Sequence, residues 1–335
     1  MLTDGRRIGA HLALGQGMVR AVDRADQLGL DTLQIFSDNP TAWRRRAAPP
    51  KELPAFRVRV AELGLGPIAI HAAYLVNLAG SDETLVARSR EVLASELRVA
   101  PGFGARFVNA HIGSHRGTDV ATGTARLADG VAAVLAEVDD SPDAAVLVLE
   151  NSAGGGDGLG TTVEEIAAIV DACAARGVPA RRLGVCLDTA HLWGAGYDIS
   201  DRPGVDRLVD RFAELIGLER LTMIHFNDSR AGLGSRADRH EHIGAGAIGP
   251  EGMRAVLCHP RLAHVTYYLE TPGMDEGYDE VNASRTLALA AGRPLPELPP
   301  EAREVRGSRS RSHPAPEPGT EDPPVTDSRG RPRRS

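Results

Sequence analysis

Eight short runs of apolar and β-branched residues recur along the chain, and longer segments of helical character separate them. Most runs are apolar without strict alternation, which is typical of parallel strands covered on both faces. Eight alternations of strand and helix predict an α/β fold, a closed (β/α)8 TIM barrel that needs ~250 residues. The predicted strands are 8–12, 32–36, 67–71, 107–112, 144–150, 183–188, 221–228 and 265–270.

The segments between the runs carry helix signals, and the end of the chain does not. Residues 162–177, TVEEIAAIVDACAARG, begin with a threonine suited to capping, keep helical apolar spacing and stop at Gly177. From residue 293 onward the chain holds ten of the 22 prolines and no aromatic residue. We therefore predict a barrel domain over residues 1–292 and a Pro/Arg-rich disordered tail over 293–335.

Potential metal ligands stand at the ends of the predicted strands. In a parallel barrel these ends meet at one rim, where several strands supply functional side chains. Histidine nitrogen and carboxylate oxygen without thiolate suit zinc or another first-row divalent ion, and nine ligands are too many for one ion. Six of the nine end or nearly end a strand and three follow in loops: His71, His111, Glu150, Asp188, His225 and Glu270, then His191, Asp238 and His240.

Each of these residues also has an ordinary structural interpretation. A single histidine at a strand end, such as His71 or His111, is more often a hydrogen-bonded structural residue than a ligand. Asp238 and His240 lie on a polar stretch and could be solvated. Glu150 differs because it terminates an apolar strand, as Glu270 does, and a buried unpaired carboxylate costs several kcal/mol without a cation or a donor.

Composition limits the class of protein. No stretch of about 18 apolar residues suggests a membrane span, and the N-terminus has no signal-peptide pattern, so we expect a cytoplasmic protein. The net charge of −7 argues against nucleic-acid binding unless bound cations are counted. Three separated cysteines argue against a disulfide framework, and we interpret them as small apolar core residues: Cys173, Cys186 and Cys258.

Several long motifs, in this order, resemble the endonuclease IV family, the class II apurinic/apyrimidinic endonucleases. The likeness runs from residue 7 to about residue 290 and is far more specific than an isolated pair of histidines. The motifs are IGAHL, HAAYLVNL, HIGSH, LENSAG, GVCLDTAHLWGAGYD, IHFNDS, GSRADRHEHIGAGAIG and LET.

The resemblance implies a barrel that binds three zinc ions, and manganese is a possible substitute for one of them. All nine family ligand positions are filled in this sequence. By the resemblance, the first zinc is bound by His71, His111 and Glu150, the second by Glu150, Asp188, His225 and Glu270, and the third by His191, Asp238 and His240.

The resemblance also implies the activity, which is hydrolysis of the phosphodiester 5′ to an abasic site in duplex DNA. The products are a 3′ hydroxyl and a 5′ deoxyribose phosphate, and blocked 3′ ends would be trimmed in the same way. Glu150, which would bridge two zinc ions, is the expected catalytic residue. Such ions lower the pKa of bound water and neutralise phosphate charge. We expect a monomer acting in base excision repair.

Five residues are implied to contact the DNA. Tyr74 and Leu75 stand where the family opens the lesion and fills the gap, an apolar-wedge strategy, although ordinary loop packing is the alternative. Arg236 and Arg239 flank a metal ligand and suit phosphate contacts. The five residues are Asn39, Tyr74, Leu75, Arg236 and Arg239.

The loop after the second strand, residues 37–46, departs from the family pattern. Asn39 and Trp43 are retained, but Asp38 and Thr41 stand where the family has basic residues. Three arginines follow at 44–46, and they suit either phosphate contacts or a solvated charged face. The departure leaves the mode of DNA contact open.

Two other functions compete with the nuclease. A sugar isomerase or epimerase of the xylose isomerase-like superfamily would share only the quartet of Glu150, Asp188, His225 and Glu270. It would not need the other five ligands, which therefore favour the nuclease. A DNA damage-binding protein that had lost the chemistry would lack ligands, and none is missing.

Overall fold

Eight parallel strands close into a barrel in a computed structural model that describes residues 5–305. Around the barrel they follow the order β1-β10-β7-β6-β5-β4-β3-β2. Their bounds are β1 Arg7–His11, β2 Thr32–Ile35, β3 Ile68–His71, β4 Ala105–His111, β5 Val146–Glu150, β6 Leu183–Asp188, β7 Leu221–His225 and β10 Thr266–Leu269. The eight predicted strands and the barrel are confirmed.

Helices cover the outside of the barrel, and a short ribbon lies above its carboxyl rim. The ribbon pairs β8 Asp228–Ser229 with β9 His240–Glu241 in antiparallel register. The helices are α1 Met18–Gln27, α2 Leu53–Glu62, α3 Glu83–Phe103, α4 Val120–Ala136, α5 Val163–Ala175, α6 Thr189–Ala195, α7 Arg202–Leu215, α8 Gly249–Leu257 and α9 Asp279–Ala290.

Local signals explain the helix ends that were expected. The Thr162 side chain caps α5 by accepting a hydrogen bond from the backbone N–H of Glu165 at 3.1 Å. Gly177 follows α5 with φ of 81°, a left-handed conformation that glycine adopts without a steric penalty. The cap and the stop predicted for this segment are therefore confirmed.

The barrel interior is a separate apolar cluster that leads directly to the ligands. Its members include Val148, Cys186, Met223 and Tyr268, all fully buried. Because side chains alternate along a strand, the residue two positions after each of these also points inward. Those positions hold ligand-type residues at the carboxyl end of the barrel: Glu150, Asp188, His225 and Glu270.

The predicted seventh strand, residues 221–228, is too long. The barrel strand ends at His225, and Asp228 belongs to the ribbon instead. The buried Asp228 carboxylate accepts hydrogen bonds from the backbone N–H groups of Gly246 at 2.9 Å and Ile248 at 3.0 Å. These bonds hold Asp228 in the ribbon, beyond the end of the barrel strand.

The folded chain extends past the predicted boundary at residue 292. Residues 300–304 form a 3-10 helix in which Ala302 is fully buried, and Leu295 packs against the core. These two apolar side chains make contacts with the folded domain that the proline-rich composition does not predict. The predicted tail is therefore wrong for 293–305, and its remainder lies outside the described residues.

No helix among residues 5–305 is both long enough and apolar enough to cross a membrane. Cys173 and Cys186 are buried and Cys258 is half-buried, and all three are free thiols. Burial raises the pKa of the Cys186 thiol to about 12, which keeps it protonated and unreactive. These features agree with the interpretation of the cysteines as packing residues.

Candidate metal centre

Seven of the nine ligand-type residues line one cavity at the carboxyl end of the barrel, and Asp188 and His225 lie buried beside them. Strand register places several of them side by side. His111 on β4 pairs with Glu150 on β5, and Asp188 on β6 pairs with His225 on β7. Glu150, Asp188 and His225 are almost completely buried, whereas His111 is 43% exposed and faces the opening. The cavity has a volume of about 530 Å³.

Three groups of side chains bring ligand atoms within 4.8 Å of one another. Glu150 belongs to two of them, as a bridging carboxylate would. Asp188 also belongs to two, because its Oδ2 lies 3.5 Å from Nε2 of His240. The groups are His71, His111 and Glu150; Glu150, Asp188, His225 and Glu270; and Asp188, His191 and His240.

Asp238 joins the third group from the loop before β9. Its carboxylate oxygens lie 3.3 Å from Nε2 of His191 and 3.1 Å from Nε2 of His240. The Asp238 side chain is 57% exposed, so this third group, the open group, faces the cavity; in the first group only His111 is exposed, at 43%. The resemblance joined His191, Asp238 and His240, and the structure adds Asp188 to their surroundings.

Backbone carbonyls orient the rings of three histidines. Each carbonyl accepts a hydrogen bond from an Nδ1–H, so the Nε2 atom faces the cavity. Histidines that bind metals are oriented in this way, because the bond sets both the tautomer and the ring plane. The pairs are His71 with Ala72, His191 with Asn151 and His240 with Glu270, at 2.7, 2.9 and 2.8 Å.

Gln34 fixes the fourth buried histidine in the opposite tautomer. Nε2 of His225 donates to Oε1 of Gln34 at 3.1 Å, and the Gln34 amide donates to the Glu270 carboxylate at 2.7 Å. Nδ1 of His225 is then the nitrogen that faces the carboxylates, 3.2 Å from Glu150. That nitrogen and Nε2 of His240 are buried and have no hydrogen-bond partner among the described residues.

The donor set therefore fits divalent cations. Two buried nitrogens without a hydrogen bond would each cost about 1–3 kcal/mol in a finished site, and coordination removes that cost. Imidazole and carboxylate together suit zinc or manganese. A cation in each group would be held entirely by side chains of this chain.

Two asparagines support the carboxylates. Asn109 donates to the Glu150 carboxylate at 2.6 Å, and Asn227 donates to the Asp188 carboxylate at 2.7 Å. Asn227 also accepts from the backbone N–H of Glu270 at 2.8 Å. These two residues and Gln34 were not predicted from the sequence. For Gln34 and Asn109 the available signal was an amide in an apolar strand, two residues before a ligand in the case of Asn109, whereas Asn227 lies between strands and gave no such signal.

The carboxylates remain ionised despite their burial. Burial by itself would raise the pKa of Glu150, but the nearby rings of His225 and His111 outweigh it and hold that pKa well below 4.5. Burial also opposes ionisation of Glu270, and the charge of His225 again lowers its pKa below the usual range. Both groups are thus ready to bind a cation at neutral pH.

The histidines of the open group hold protons when no cation is present. Burial would lower the pKa of His240, but Asp188 and Asp238 outweigh it and raise this pKa to about 9. The same two carboxylates raise the pKa of His191 well above 6.5 against its burial. A cation must displace these protons before it can bind.

Zinc binding to the metal-stripped protein near pH 7 is expected to release about two or more protons per chain. The raised pKa values mean that His191 and His240 are both protonated near neutral pH, and His240 stays so up to about pH 9, so zinc affinity must fall as the pH is lowered below that value. A pH indicator in weak buffer measures the release during a zinc titration. Tight binding without proton release would contradict this description.

Two of the five residues predicted to contact DNA line the cavity. Tyr74 is exposed and lines the cavity with Arg239. Asn39 is exposed, Leu75 is half-buried, and Arg236 is exposed with a left-handed φ of 55°. Arg239 donates to the backbone carbonyl of Asp238, a ligand-type residue, and both residues line the cavity.

The arginine run of loop 37–46 does not form a uniform charged surface. Arg45 is only 12% exposed and its guanidinium donates to the buried Glu96 carboxylate at 3.1 Å, so it is neither a phosphate contact nor a solvated charge. It also donates to the backbone carbonyls of Asn39 and Ala42. Arg46 pairs with Asp38 at 3.2 Å.

This arrangement holds loop 37–46 from within. The Pro40 carbonyl accepts a hydrogen bond from the backbone N–H of Tyr74 at 3.1 Å, which joins the loop to the cavity wall. Arg45 was identified in the sequence only as one of three arginines, because its partner Glu96 is remote along the chain. These hydrogen bonds and ion pairs therefore hold the loop against the cavity wall in the absence of a ligand.

Comparisons with known proteins agree with the barrel and its metal-ligand rim. A family model described as a xylose isomerase-like TIM barrel matches residues 22–291. The chain is thus a TIM barrel whose carboxyl rim carries groups of His, Asp and Glu residues suited to metal ions. Solved structures of sugar epimerases share this fold; for example, a D-tagatose 3-epimerase-like protein matches with a TM-score of 0.62 and 16% identity, a likeness of fold alone.

Much stronger similarity points to one family. A "probable endonuclease 4" of Methanoculleus marisnigri is 38% identical over 284 residues, which are 84% of this chain and 98% of the relative. The corresponding protein of Natronomonas pharaonis is 40% identical over 79% of this chain and 92% of its own length. The crystal structure of endonuclease IV from Thermus thermophilus matches with 38% identity and a TM-score of 0.73, covering 85% of this chain and 99% of that one. The chain belongs to the endonuclease IV family.

Proposed function

We propose that this chain is a zinc-dependent apurinic/apyrimidinic endonuclease of base excision repair. It hydrolyses the phosphodiester 5′ to an abasic site in duplex DNA and leaves a 3′ hydroxyl and a 5′ deoxyribose phosphate; blocked 3′ ends are trimmed by the same cleavage. The observation that carries the proposal is the set of three ligand groups in one cavity, linked through Glu150 and Asp188. Three zinc ions would occupy them, with manganese as a possible substitute.

The number of ligand groups favours the nuclease over an isomerase. A sugar isomerase would need only the quartet of Glu150, Asp188, His225 and Glu270, and no further metal ligands. Here His71 and His111 extend the quartet on one side, and the open group extends it on the other. A flexible, negatively charged DNA backbone needs this wider row of positive charge, whereas a sugar does not.

The cations, when bound, would lower the pKa of a water molecule and neutralise charge on the phosphate and the leaving oxygen. The protein keeps Glu150 and Glu270 ionised, orients the histidines and holds the ligands rigidly. Three divalent cations would carry six positive charges against four carboxylates in the ligand set. The cavity would then be positive and attract a phosphodiester even though the chain has a net charge of −7.

Incision of a duplex that contains a tetrahydrofuran abasic analogue tests the proposal. The purified, zinc-loaded protein is expected to nick that strand once, 5′ to the analogue, and to leave an undamaged duplex of the same sequence intact. Ketohexose epimerisation is assayed in parallel with the same preparation. Sugar turnover without a nick would replace the proposal with the isomerase alternative.

The DNA is expected to bind across the cavity mouth, which Tyr74 and Arg239 line, and to contact Asn39, Leu75 and Arg236 as well. Arg239→Ala should weaken binding of the abasic duplex several-fold and should reduce the salt dependence of binding by about one phosphate contact. Arg181→Ala is a matched control, because Arg181 is exposed immediately before β6, at the opposite end of the barrel. Equal salt slopes for the two variants would count against a phosphate contact at Arg239.

Loop 37–46 should control binding rather than chemistry. Glu96→Gln removes the charge that holds Arg45 but keeps the acceptor for the Ser37 hydroxyl. We expect the KM for abasic duplex to rise about tenfold with kcat nearly unchanged, because breaking one buried charged hydrogen bond costs about 1.5–3 kcal/mol. Glu91→Gln, on an exposed position of α3, is the control. A fall in kcat at constant KM would contradict this role.

We further propose that the protein acts in the cytoplasm and as a monomer. Its three cysteines are unpaired, which suits a reducing compartment. All nine candidate ligands come from one chain, so no second copy is needed to complete the site.

A further inference from the structure

We infer that residues 295–305, which follow the last barrel helix, act as a brace for the loop that carries Asp238 and His240. His242 is the positioning residue that joins the two. The inference rests on the proposed cation set, because it concerns how the open ligand group is held. In this description the C-terminal segment is a working part of the metal centre.

His242 joins three parts of the chain through one buried ring. It is fully buried, and its Nε2 lies 2.9 Å from the backbone carbonyl of Ala302. Its Nδ1 lies 2.9 Å from the side-chain nitrogen of Asn282 on α9. The Asn282 amide must donate to Nδ1, so Nε2 carries the hydrogen and donates to Ala302. Nε2 of His242 is therefore satisfied only while the segment is in place, whereas Nδ1 is satisfied by α9.

Arg285 provides a second connection between the loop and the C-terminal segment. Its guanidinium is 6% exposed and donates to the backbone carbonyls of Ile243 in the loop and Pro296 in the segment. Asn282 adds a third, because its oxygen accepts from the backbone N–H of Ile243 at 3.0 Å. The loop, helix α9 and the C-terminal segment are therefore joined to one another by hydrogen bonds of His242, Arg285 and Asn282.

Close packing adds to these hydrogen bonds. Gly244 has a left-handed φ of 68°, and a Cβ at that position would lie only 2.7 Å from Cδ1 of Leu295. The segment therefore lies directly against the loop backbone. Val305 reaches Gly273, which follows the ligand strand β10, so the segment spans both chain stretches that border the open group.

The open ligand group is the one that needs such support. The ligands of the other two groups lie at the ends of barrel strands, whereas Asp238 is on a loop whose residues 232–236 are exposed and His240 is on the short ribbon strand β9 that follows it. Asp228 anchors the far end of that loop through the backbone of residues 246–249. His242 supplies the anchor nearest to the ligands, two residues after His240.

The test compares His242→Ala with His264→Ala in the full-length, zinc-loaded protein. His264 also bonds a backbone carbonyl, that of Leu218 at 2.9 Å, but it is exposed and remote from the cavity. Zinc per chain is measured by mass spectrometry during exposure to a mild chelator. We expect about one ion per chain to leave His242→Ala tenfold or more faster than His264→Ala, while the remaining ions leave at the control rate.

Two further variants keep the inference falsifiable if His242→Ala folds poorly. His242→Gln retains a donor that can reach Ala302 and should restore most of the zinc retention. Arg285→Lys keeps the charge but cannot span both carbonyls, so it should lose the same ion early. Identical zinc-loss rates in His242→Ala, Arg285→Lys and the control would overturn the brace.

Hydrogen exchange separates this inference from the proposed function. Backbone amides of residues 236–246 should exchange about tenfold faster in His242→Ala than in His264→Ala, with or without zinc. If the unmodified protein binds no zinc, the proposed function fails while this exchange result still supports the brace. Equal exchange in the two variants contradicts the brace whatever the zinc content.

Discussion

Glu150→Gln is expected to reduce the incision rate of abasic duplex by about 1000-fold or more, a loss of about 4 kcal/mol of transition-state stabilisation. Glu150 is 1% exposed, and its two oxygens approach the rings of His71, His111, His191 and His225 within 3.2–3.7 Å. Glutamine has the same shape but cannot offer an anionic bridge. Single-turnover incision of the tetrahydrofuran duplex measures the change.

Glu91→Gln provides the matched control for this prediction, because it makes the same chemical change on an exposed helix surface. It should leave the incision rate and the zinc content unaltered. Zinc analysis of Glu150→Gln should also show loss of bound ion from the groups that share this carboxylate. Incision by Glu150→Gln at the rate of the control would remove Glu150 from the proposed chemistry.

Removal of bound metal should both abolish incision and lower the melting temperature. Without cations, the buried carboxylates of Glu150, Asp188 and Glu270 face one another with only histidine charge between them. Each cation held at a free concentration 100-fold above its Kd stabilises the fold by about 2.7 kcal/mol. Because each kcal/mol shifts the Tm of a large domain by about 2–4 °C, filling even one site corresponds to about 5–10 °C.

The measurement is a thermal melt of the chelator-stripped protein before and after zinc is restored. Magnesium at the same concentration serves as the control cation, since it prefers oxygen ligands and should restore little of the loss. A Tm that is unchanged by stripping, in protein shown by mass analysis to have lost its ions, would mean that the three groups are not metal sites.

The strand ends show how much of the site can be predicted from sequence. Val148 and Glu150 lie on the same inward face because side chains alternate along β5, and an acidic residue that ends an apolar run can be recognised without coordinates. The barrel follows from repetition of that pattern eight times. Both predictions depend on local periodicity, which the sequence displays directly.

The supporting residues depend on relations that no local pattern contains. Asn109 stands level with His71 only because β3 and β4 pair in a register that shifts between Ile68 and Ala69. Gln34 meets His225 across the barrel interior, 191 residues away along the chain. Their amides resemble ordinary strand polar residues until the closed barrel brings them to the ligands.

Composition misled the prediction at two places. The proline-rich sequence after residue 292 conceals the buried Ala302, whose backbone carbonyl, rather than its side chain, makes the important bond. The three consecutive arginines suggested a uniform charged surface, but Arg45 turns inward to Glu96. In both cases the decisive contact is with a residue tens of positions away.

The central claim is tested most directly by titrating zinc into the stripped protein while incision of the tetrahydrofuran duplex is followed at each step. With three ligand groups to fill, incision should remain low until more than about two ions per chain are bound and should reach its maximum at about three. A duplex that stays intact with all groups filled, or full incision with a single bound ion, would contradict the account.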